Sequence, residues 1–197
     1  MLAYCGVDYE EKLYVLGDGP QFDRSEWLAD KENLGLEYPN LPYMIDGETK
    51  FTESMAILKY VARKWRPALC GTTAAEMARI EMLSHHVGTL KTNVTIACYA
   101  VGDREAIIKD SRTPLAKIMG VKGTSQWIAG DNLSWVDFLF AETLDLLDAA
   151  SEGVFYKEFP EAKEYFDAFI ALPGISEYWK TCMKAPFTNK VAKLLSK

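Results

Sequence analysis

The stretch Pro39-Asn40-Leu41-Pro42-Tyr43-Met44-Ile45-Asp46-Gly47, followed after four residues by Thr52-Glu53-Ser54, decides the fold of this chain. Tyr43 to Ile45 predict a short strand after a loop closed by proline, and Asp46-Gly47 is typical of a tight hairpin turn. Lys50 to Thr52 return as a second strand. Ser54 then begins an apolar helix whose first backbone N–H groups are free to bind an anion. The pattern predicts a pocket where an extended peptide lies along the loop and its carboxylate caps the helix.

Working outward from this hairpin, two kinds of segment meet near Pro67 to Thr72. Before that point the predicted elements are short and mixed: Glu10 to Leu16 alternates charged and apolar residues like a strand, and Ser25 is expected to cap a brief helix. After it we expect long helices over Thr73 to Tyr99, Glu105 to Met119, Phe138 to Ala150, from Pro160 onward, and from Ile175 to Met183. The sequence therefore predicts an α/β domain over residues 1–66 and an all-helical domain over residues 73–197.

The composition of the chain disfavours several classes of binding partner and indicates a cellular compartment. The net charge of −6 disfavours nucleic acid and anionic membranes, which reward clustered Lys and Arg. No apolar run has transmembrane length, and the first residues lack the pattern of a secretory signal. The four cysteines, at positions 5, 70, 98 and 182, are too widely spaced for a disulfide framework or a zinc site. We therefore expect a protein of the reducing cytoplasm.

The loop, hairpin and helix start resemble the glutathione-binding half of cytosolic glutathione transferases. From Tyr9 to the C-terminus the chain is most similar to the mu class. The resemblance implies a thioredoxin-like N-terminal domain, incomplete here, followed by an all-helical C-terminal domain. It also implies conjugation of glutathione, as a substrate, to a small hydrophobic electrophile, with no metal and with a homodimer or a larger assembly as the working form.

The resemblance also assigns residues to the tripeptide. In the family the proline matching Pro42 is cis, and the backbone of the residue before it, here Leu41, pairs with the cysteinyl part of glutathione. Glu53 and Ser54 match the pair that holds the γ-glutamyl end, although the mu class usually has Gln where Glu53 stands. Taken singly, Pro42 could merely end a loop, and Ser54 could be an ordinary N-cap. The mu-class positions around the glycyl end are matched by Arg24, Trp27, Lys31 and Asn40.

The front of the chain departs from the family pattern. In the family a strand carries a tyrosine that favours the glutathione thiolate, and a helix follows that strand. Residues 1–6 resemble only the last turns of that helix, so no residue of this sequence matches the tyrosine, and neither Tyr4 nor Tyr9 can replace it. The family's strand is central in its sheet. We expect that the sequence begins at an internal Met, that another chain supplies the strand, or that this half is rearranged.

In the helical half, Gly88, Thr92, Thr95 and Tyr99 recur on one helix face, which in the mu class lines the electrophile pocket. Tyr99 matches a tyrosine that assists some reactions from that side. Read from the sequence alone, it could equally be a core tyrosine.

Other departures and matches bear on assembly and folding. Thr89 stands where the family has an aspartate that reaches the partner subunit's glutathione. Tyr38 matches the aromatic side chain that mu-class subunits insert into their partner, and Ser134 with Asp137 predicts a capping box.

Three functions follow from these observations. The first is a glutathione transferase. The second is a catalytically silent protein of the same fold that serves as a binding or scaffold subunit of a larger assembly. The unmatched tyrosine and Thr89 favour it, whereas the match at nearly every other glutathione contact disfavours it. The third, a thiol–disulfide enzyme with a cysteine nucleophile, is disfavoured because no cysteine stands at a helix start in the first domain.

Overall fold

The computed structural model describes residues 1–182 and 186–194. Its N-terminal part contains helix α1 (Leu2–Cys5), helix α2 (Ser25–Lys31), strands β1 (Tyr43–Asp46) and β2 (Thr49–Thr52), and helix α3 (Ser54–Trp65). The two strands form the predicted antiparallel hairpin, with Tyr43 opposite Thr52 and Asp46 opposite Thr49. Because β2 runs directly into α3, the hairpin places the helix start beside the loop that precedes β1.

The predicted strand from Glu10 to Leu16 is wrong. These residues are irregular, and the sheet of the described ranges consists of β1 and β2 alone. Alternation of polar and apolar residues marks two faces, but a strand also needs a hydrogen-bonding neighbour. None lies alongside within the described residues, and the side chains of Leu13 and Val15 are 52% and 73% exposed.

After a 3₁₀ turn, Pro67–Cys70, the chain is helical. It forms α4 (Ala74–Ile96), a π-helical turn (Ala97–Val101), α5 (Arg104–Lys122), α6 (Trp135–Ser151), α7 (Val154–Glu158), α8 (Pro160–Ile170) and α9 (Ile175–Thr181). The long predicted helices are confirmed to within a few residues, whereas α7 was not predicted. The expected end of the last helix at Met183 lies outside the described residues. No helix in the described ranges is long and apolar enough to span a membrane.

Helix α6 is the centre of the core. It is apolar on nearly every face, as expected of a buried helix, and Phe140, Leu144 and Leu147 are fully enclosed. Helix α4 packs along it, and Ala62 of α3 joins the same core, so one apolar interior serves both halves of the chain.

The predicted capping box at the start of α6 is confirmed. Asp137 accepts hydrogen bonds from the Ser134 N–H and hydroxyl, both at 2.7 Å, and from the Ile128 N–H at 3.0 Å. The Tyr165 hydroxyl of α8 donates to the same carboxylate at 2.6 Å. Burial raises the pKa of Asp137 despite these four donors. The residue therefore ties three segments of the helical half together.

The segment 186–194 crosses the C-terminal end of α4. The Leu194 N–H donates to the Cys98 carbonyl at 2.9 Å, and Lys190 forms an ion pair with Asp18. The segment passes so close to Gly102 that a Cβ atom added there would lie 2.7 Å from the Lys193 Cβ. Gly102 also has a φ of 76°, a conformation that glycine adopts without strain.

Candidate functional site

The loop before the hairpin has the predicted geometry, because the Leu41–Pro42 peptide bond is cis. The Thr52 hydroxyl donates to the Tyr38 carbonyl at 3.0 Å and ties this loop to β2. The Leu41 side chain is exposed, and its N–H donates to the Asn40 side-chain oxygen at 2.9 Å. A strand-like ligand would take over this N–H, and the Asn40 amide would then be free to turn toward it.

The start of α3 lies directly behind that loop. Glu53, which precedes the helix, has a φ of 77° and a ψ of 112°, an unfavourable conformation for a residue with a side chain. Such conformations cost about 1–3 kcal/mol and persist where the surroundings impose them, often at ligand sites. Among the described residues no side chain caps the helix, and Ser54 is exposed. The Ser54 hydroxyl and the first N–H groups of α3 are therefore well placed to bind a carboxylate.

Helix α2 brings the third set of predicted residues to the same region. Trp27 stacks on Tyr43, with ring centroids 6.2 Å apart and planes at 15°, so the indole lies against the first residue after the cis-proline. Arg24 precedes the helix and is exposed, and Lys31 at its end lies 3.4 Å from Glu32. The structure thus brings Trp27 to the loop and places one cation directly before the helix that carries it and one at its end.

Three neighbouring residues were missed by the sequence reasoning. The Tyr14 hydroxyl donates to Asp30 at 2.9 Å and lies 3.3 Å from the Tyr43 hydroxyl, and Lys12 forms an ion pair with Asp30. The hydrogen bonds from Lys12 and then Tyr14 lower the pKa of Asp30. Desolvation, followed by the contacts with Tyr43 and Asp30, raises the pKa of Tyr14. The alternating pattern that wrongly predicted a strand concealed this cluster, and no signal in the sequence pairs Tyr14 with Asp30.

Tyr99 lies in the π-helical turn, on the helical side of the molecule. Its ring packs against the core, and its hydroxyl accepts a hydrogen bond from the Asn189 N–H at 3.1 Å. An acceptor hydroxyl keeps its proton available for donation.

The other residues that the sequence analysis named on this helix differ from Tyr99 in their contacts. Gly88 faces open space, whereas Thr95 donates to the Lys91 carbonyl of its own helix at 2.9 Å. Thr92 is exposed, and Thr89 donates to the His85 carbonyl at 2.8 Å.

Three of the four thiols do not have the character of nucleophiles. Burial raises the pKa of Cys5, Cys70 and Cys98, whereas a reactive cysteine needs a lowered pKa. Tyr4, near Cys5, packs edge-on against Phe138 at 5.4 Å. Within the ranges that the structure describes, no group of three or more side chains converges to hold a metal ion.

A separate groove of about 640 Å³ runs between α4 and α5. Its walls are mostly apolar. The charged or titratable side chains among its described lining are His86 and Lys117, so no carboxylate balances the lysine there. The other lining residues are Met82, Leu83, Thr89, Leu90, Asn93, Thr113, Pro114, Ile118, Gly120 and Val121.

Comparisons with known proteins agree with this geometry. Residues 1–63 match the sequence profile of the glutathione S-transferase N-terminal domain, and residues 104–181 match that of the C-terminal domain. The chain is 37% identical to glutathione S-transferase Mu 4 of Mus musculus, over 98% of this chain and 89% of the relative. It is 38% identical to glutathione S-transferase Mu 1 of Bos taurus, over 94% and 85%.

A solved structure indicates the same family. The crystal structure of the glutathione S-transferase Blo t 8 is similar with a TM-score of 0.82 and 33% identity, over 98% of this chain and 90% of that one. The expected fold, a thioredoxin-like N-terminal domain with a small sheet followed by a helical C-terminal domain, is confirmed. The chain belongs to the glutathione S-transferase family, and its relatives include mu-class members.

Proposed function

We propose that this protein conjugates the thiol of glutathione to hydrophobic electrophiles, a detoxification reaction. Its family membership supports this activity. The observation that carries the proposal is the exposed loop of Asn40 and Leu41 beside the start of α3, which no described side chain caps. Together they offer backbone groups to an extended tripeptide and N–H donors to its carboxylate.

Each end of the tripeptide finds suitable chemistry. The Ser54 hydroxyl and the N–H groups of α3 take the γ-glutamyl carboxylate, and Glu53 accepts from the ammonium beside it. The backbone of Leu41, turned outward before Pro42, pairs with the cysteinyl part. Around the glycyl carboxylate we place the side chains of Arg24, Trp27, Lys31 and Asn40.

Tyr99 acts on the electrophile side in this proposal. Because its hydroxyl accepts from the Asn189 N–H, its proton points away from that bond and can stabilise negative charge that develops on the second substrate. Tyr99 is thus proposed as a catalytic residue and as one wall of the electrophile pocket.

The proposal is tested by titrating glutathione into the protein in a calorimeter and by assaying conjugation to a chloronitrobenzene. We expect binding and turnover in the natural chain, and at least about tenfold weaker binding in Ser54→Ala, because a hydrogen bond to a charged group is worth about 1.5–3 kcal/mol. Ser176→Ala, in the first turn of α9, is the matched control. Absence of binding in the natural chain would contradict the proposal, and binding without turnover would favour the silent subunit.

We also propose a cytoplasmic homodimer. Tyr38 is 73% exposed, at the tip of the loop before the hairpin, and Glu37 precedes it. A large exposed aromatic ring and an apolar groove on the same chain fit each other across two copies. Charge supports the pairing, since Glu37 would enter a groove whose described lining contains Lys117 and no carboxylate. The four free cysteines favour a reducing compartment.

A further inference from the structure

Helix α2 carries candidate ligand-binding residues, but it is too short to be stable without contacts to the rest of the chain. It has seven residues, whereas isolated helices shorter than about 12 residues are marginal in water. None of its residues is buried, and Leu28 is among the exposed apolar side chains. Its position therefore depends on a few contacts with the rest of the chain.

Those contacts converge on Trp27 and Asp30. Trp27 packs between Tyr14, edge-on at 5.2 Å, and Tyr43, stacked at 6.2 Å. One turn further along, Asp30 receives the Tyr14 hydroxyl at 2.9 Å and the Lys12 ammonium. Tyr14 thus contacts both Trp27 and Asp30 of α2, and its hydroxyl also lies 3.3 Å from that of Tyr43.

We propose that Tyr14 and Asp30 are positioning residues of the glutathione site: they lock helix α2 against β1 and so set Trp27 and Lys31 toward the tripeptide. The inference rests on the proposed function. Neither residue needs to touch the ligand, because each acts through the helix that does.

At neutral pH the protonation states of Tyr14 and Asp30 favour the hydrogen bond between them. The Tyr14 phenol keeps its proton because its pKa is raised, and Asp30 stays ionised because its pKa is lowered. A protonated phenol donating to a carboxylate is a charge-assisted bond, roughly twice as strong as a neutral one. The lock therefore persists across the neutral pH range in which the thiol reaction runs.

The test compares two tyrosines of the same segment. Tyr14→Phe keeps the ring against Trp27 and removes only the hydroxyl, and we expect glutathione affinity to fall about five- to tenfold. Tyr9→Phe is the matched control, because the Tyr9 ring is exposed and its hydroxyl makes no hydrogen bond among the described residues; its affinity should stay within about twofold. Asp30→Asn, which still accepts from Tyr14, should lose about two- to threefold, and Asp30→Ala as much as Tyr14→Phe.

A positioning role also predicts which kinetic constants change. The KM for glutathione should rise in Tyr14→Phe, while the KM for the electrophile and the thermal midpoint stay near their natural values. Equal affinities of Tyr14→Phe and Tyr9→Phe in a chain that binds glutathione would overturn this inference alone. A natural chain that binds no glutathione would overturn the proposed function and this inference with it. If Tyr14→Phe does not fold, Asp30→Ala carries the same comparison.

Discussion

Asp46, the last residue of β1, fastens the hairpin to the helix behind it. Its carboxylate accepts a hydrogen bond from the Tyr60 hydroxyl at 2.8 Å and forms an ion pair with Lys64, both from α3. The Lys64 ammonium also lies 4.7 Å from the centre of the Trp65 ring. The bonds from Lys64 and then Tyr60 lower the pKa of Asp46.

This lowered pKa predicts a pH-dependent effect of Asp46→Asn. A carboxyl whose pKa is lower in the folded state than its ordinary value of 3.8 stabilises the fold above that value, and the contribution disappears as the pH falls through the folded pKa. Urea midpoints should therefore be lower in Asp46→Asn than in the natural chain at pH 7, and the gap should narrow as the pH falls below 3.8. Asp131→Asn, at an exposed carboxyl with no ion pair among the described residues, should show no such gap.

At the scale of elements, the junction between α4 and the segment 186–194 depends on one glycine. Gly102→Ala would place a methyl group only 2.7 Å from the Lys193 Cβ, at a φ that alanine adopts only with strain. We expect a loss of about 1–3 kcal/mol in the free energy of unfolding and faster proteolysis of the segment.

The matched control for that variant is Gly88→Ala, within α4. No atom of the described ranges lies within 4 Å of an added Cβ at Gly88, and alanine favours helices by about 1 kcal/mol over glycine. Stability should therefore stay the same or rise. Equal destabilisation by both variants would show that the close contact at Gly102 does not support the segment.

Elements were predictable where their signals are local. Helix α3 begins at Ser54, as the preceding hairpin and the apolar residues after it indicate. The strand from Glu10 to Leu16 failed because pairing is a property of neighbours, and alternation alone does not supply one. Helix α7, with five residues, is too short to show periodicity.

The features of the candidate site also divide into those that the local sequence predicts and those that it does not. The hairpin turn and the cis-proline lie in one continuous motif, so the sequence predicts them, helped by the family resemblance. The Tyr14–Asp30 bond joins residues sixteen positions apart, one of them in an irregular segment. Such a contact exists only once the chain is packed, so no spacing rule reveals it.

At the scale of the whole molecule, the proposed homodimer can be tested by exchanging the charges of Glu37 and Lys117. Lys117→Glu should repel Glu37 of the second copy and shift the sedimentation profile toward monomer, as should Tyr38→Ala, which removes the inserted ring. The double variant Glu37→Lys with Lys117→Glu should recover dimer by reversing the pair. Tyr9→Ala, also exposed but outside the loop before the hairpin, is the control and should leave the mass unchanged.

Two outcomes would contradict this arrangement. A natural chain that sediments as a monomer would remove the homodimer altogether. A dimer unaffected by Tyr38→Ala and by Lys117→Glu would place the contact on another face of the molecule.

The contrast between the exposed helix α2 and the enclosed helix α6 has a thermodynamic consequence. We expect amides of α6 to exchange with solvent only when the whole structure opens, and those of α2 to exchange through small local openings. A ligand that grips α2 must therefore halt these openings, and part of its favourable enthalpy is offset by the lost motional entropy. Affinity for the tripeptide is thus set as much by how often α2 is already in place as by the contacts it finally makes.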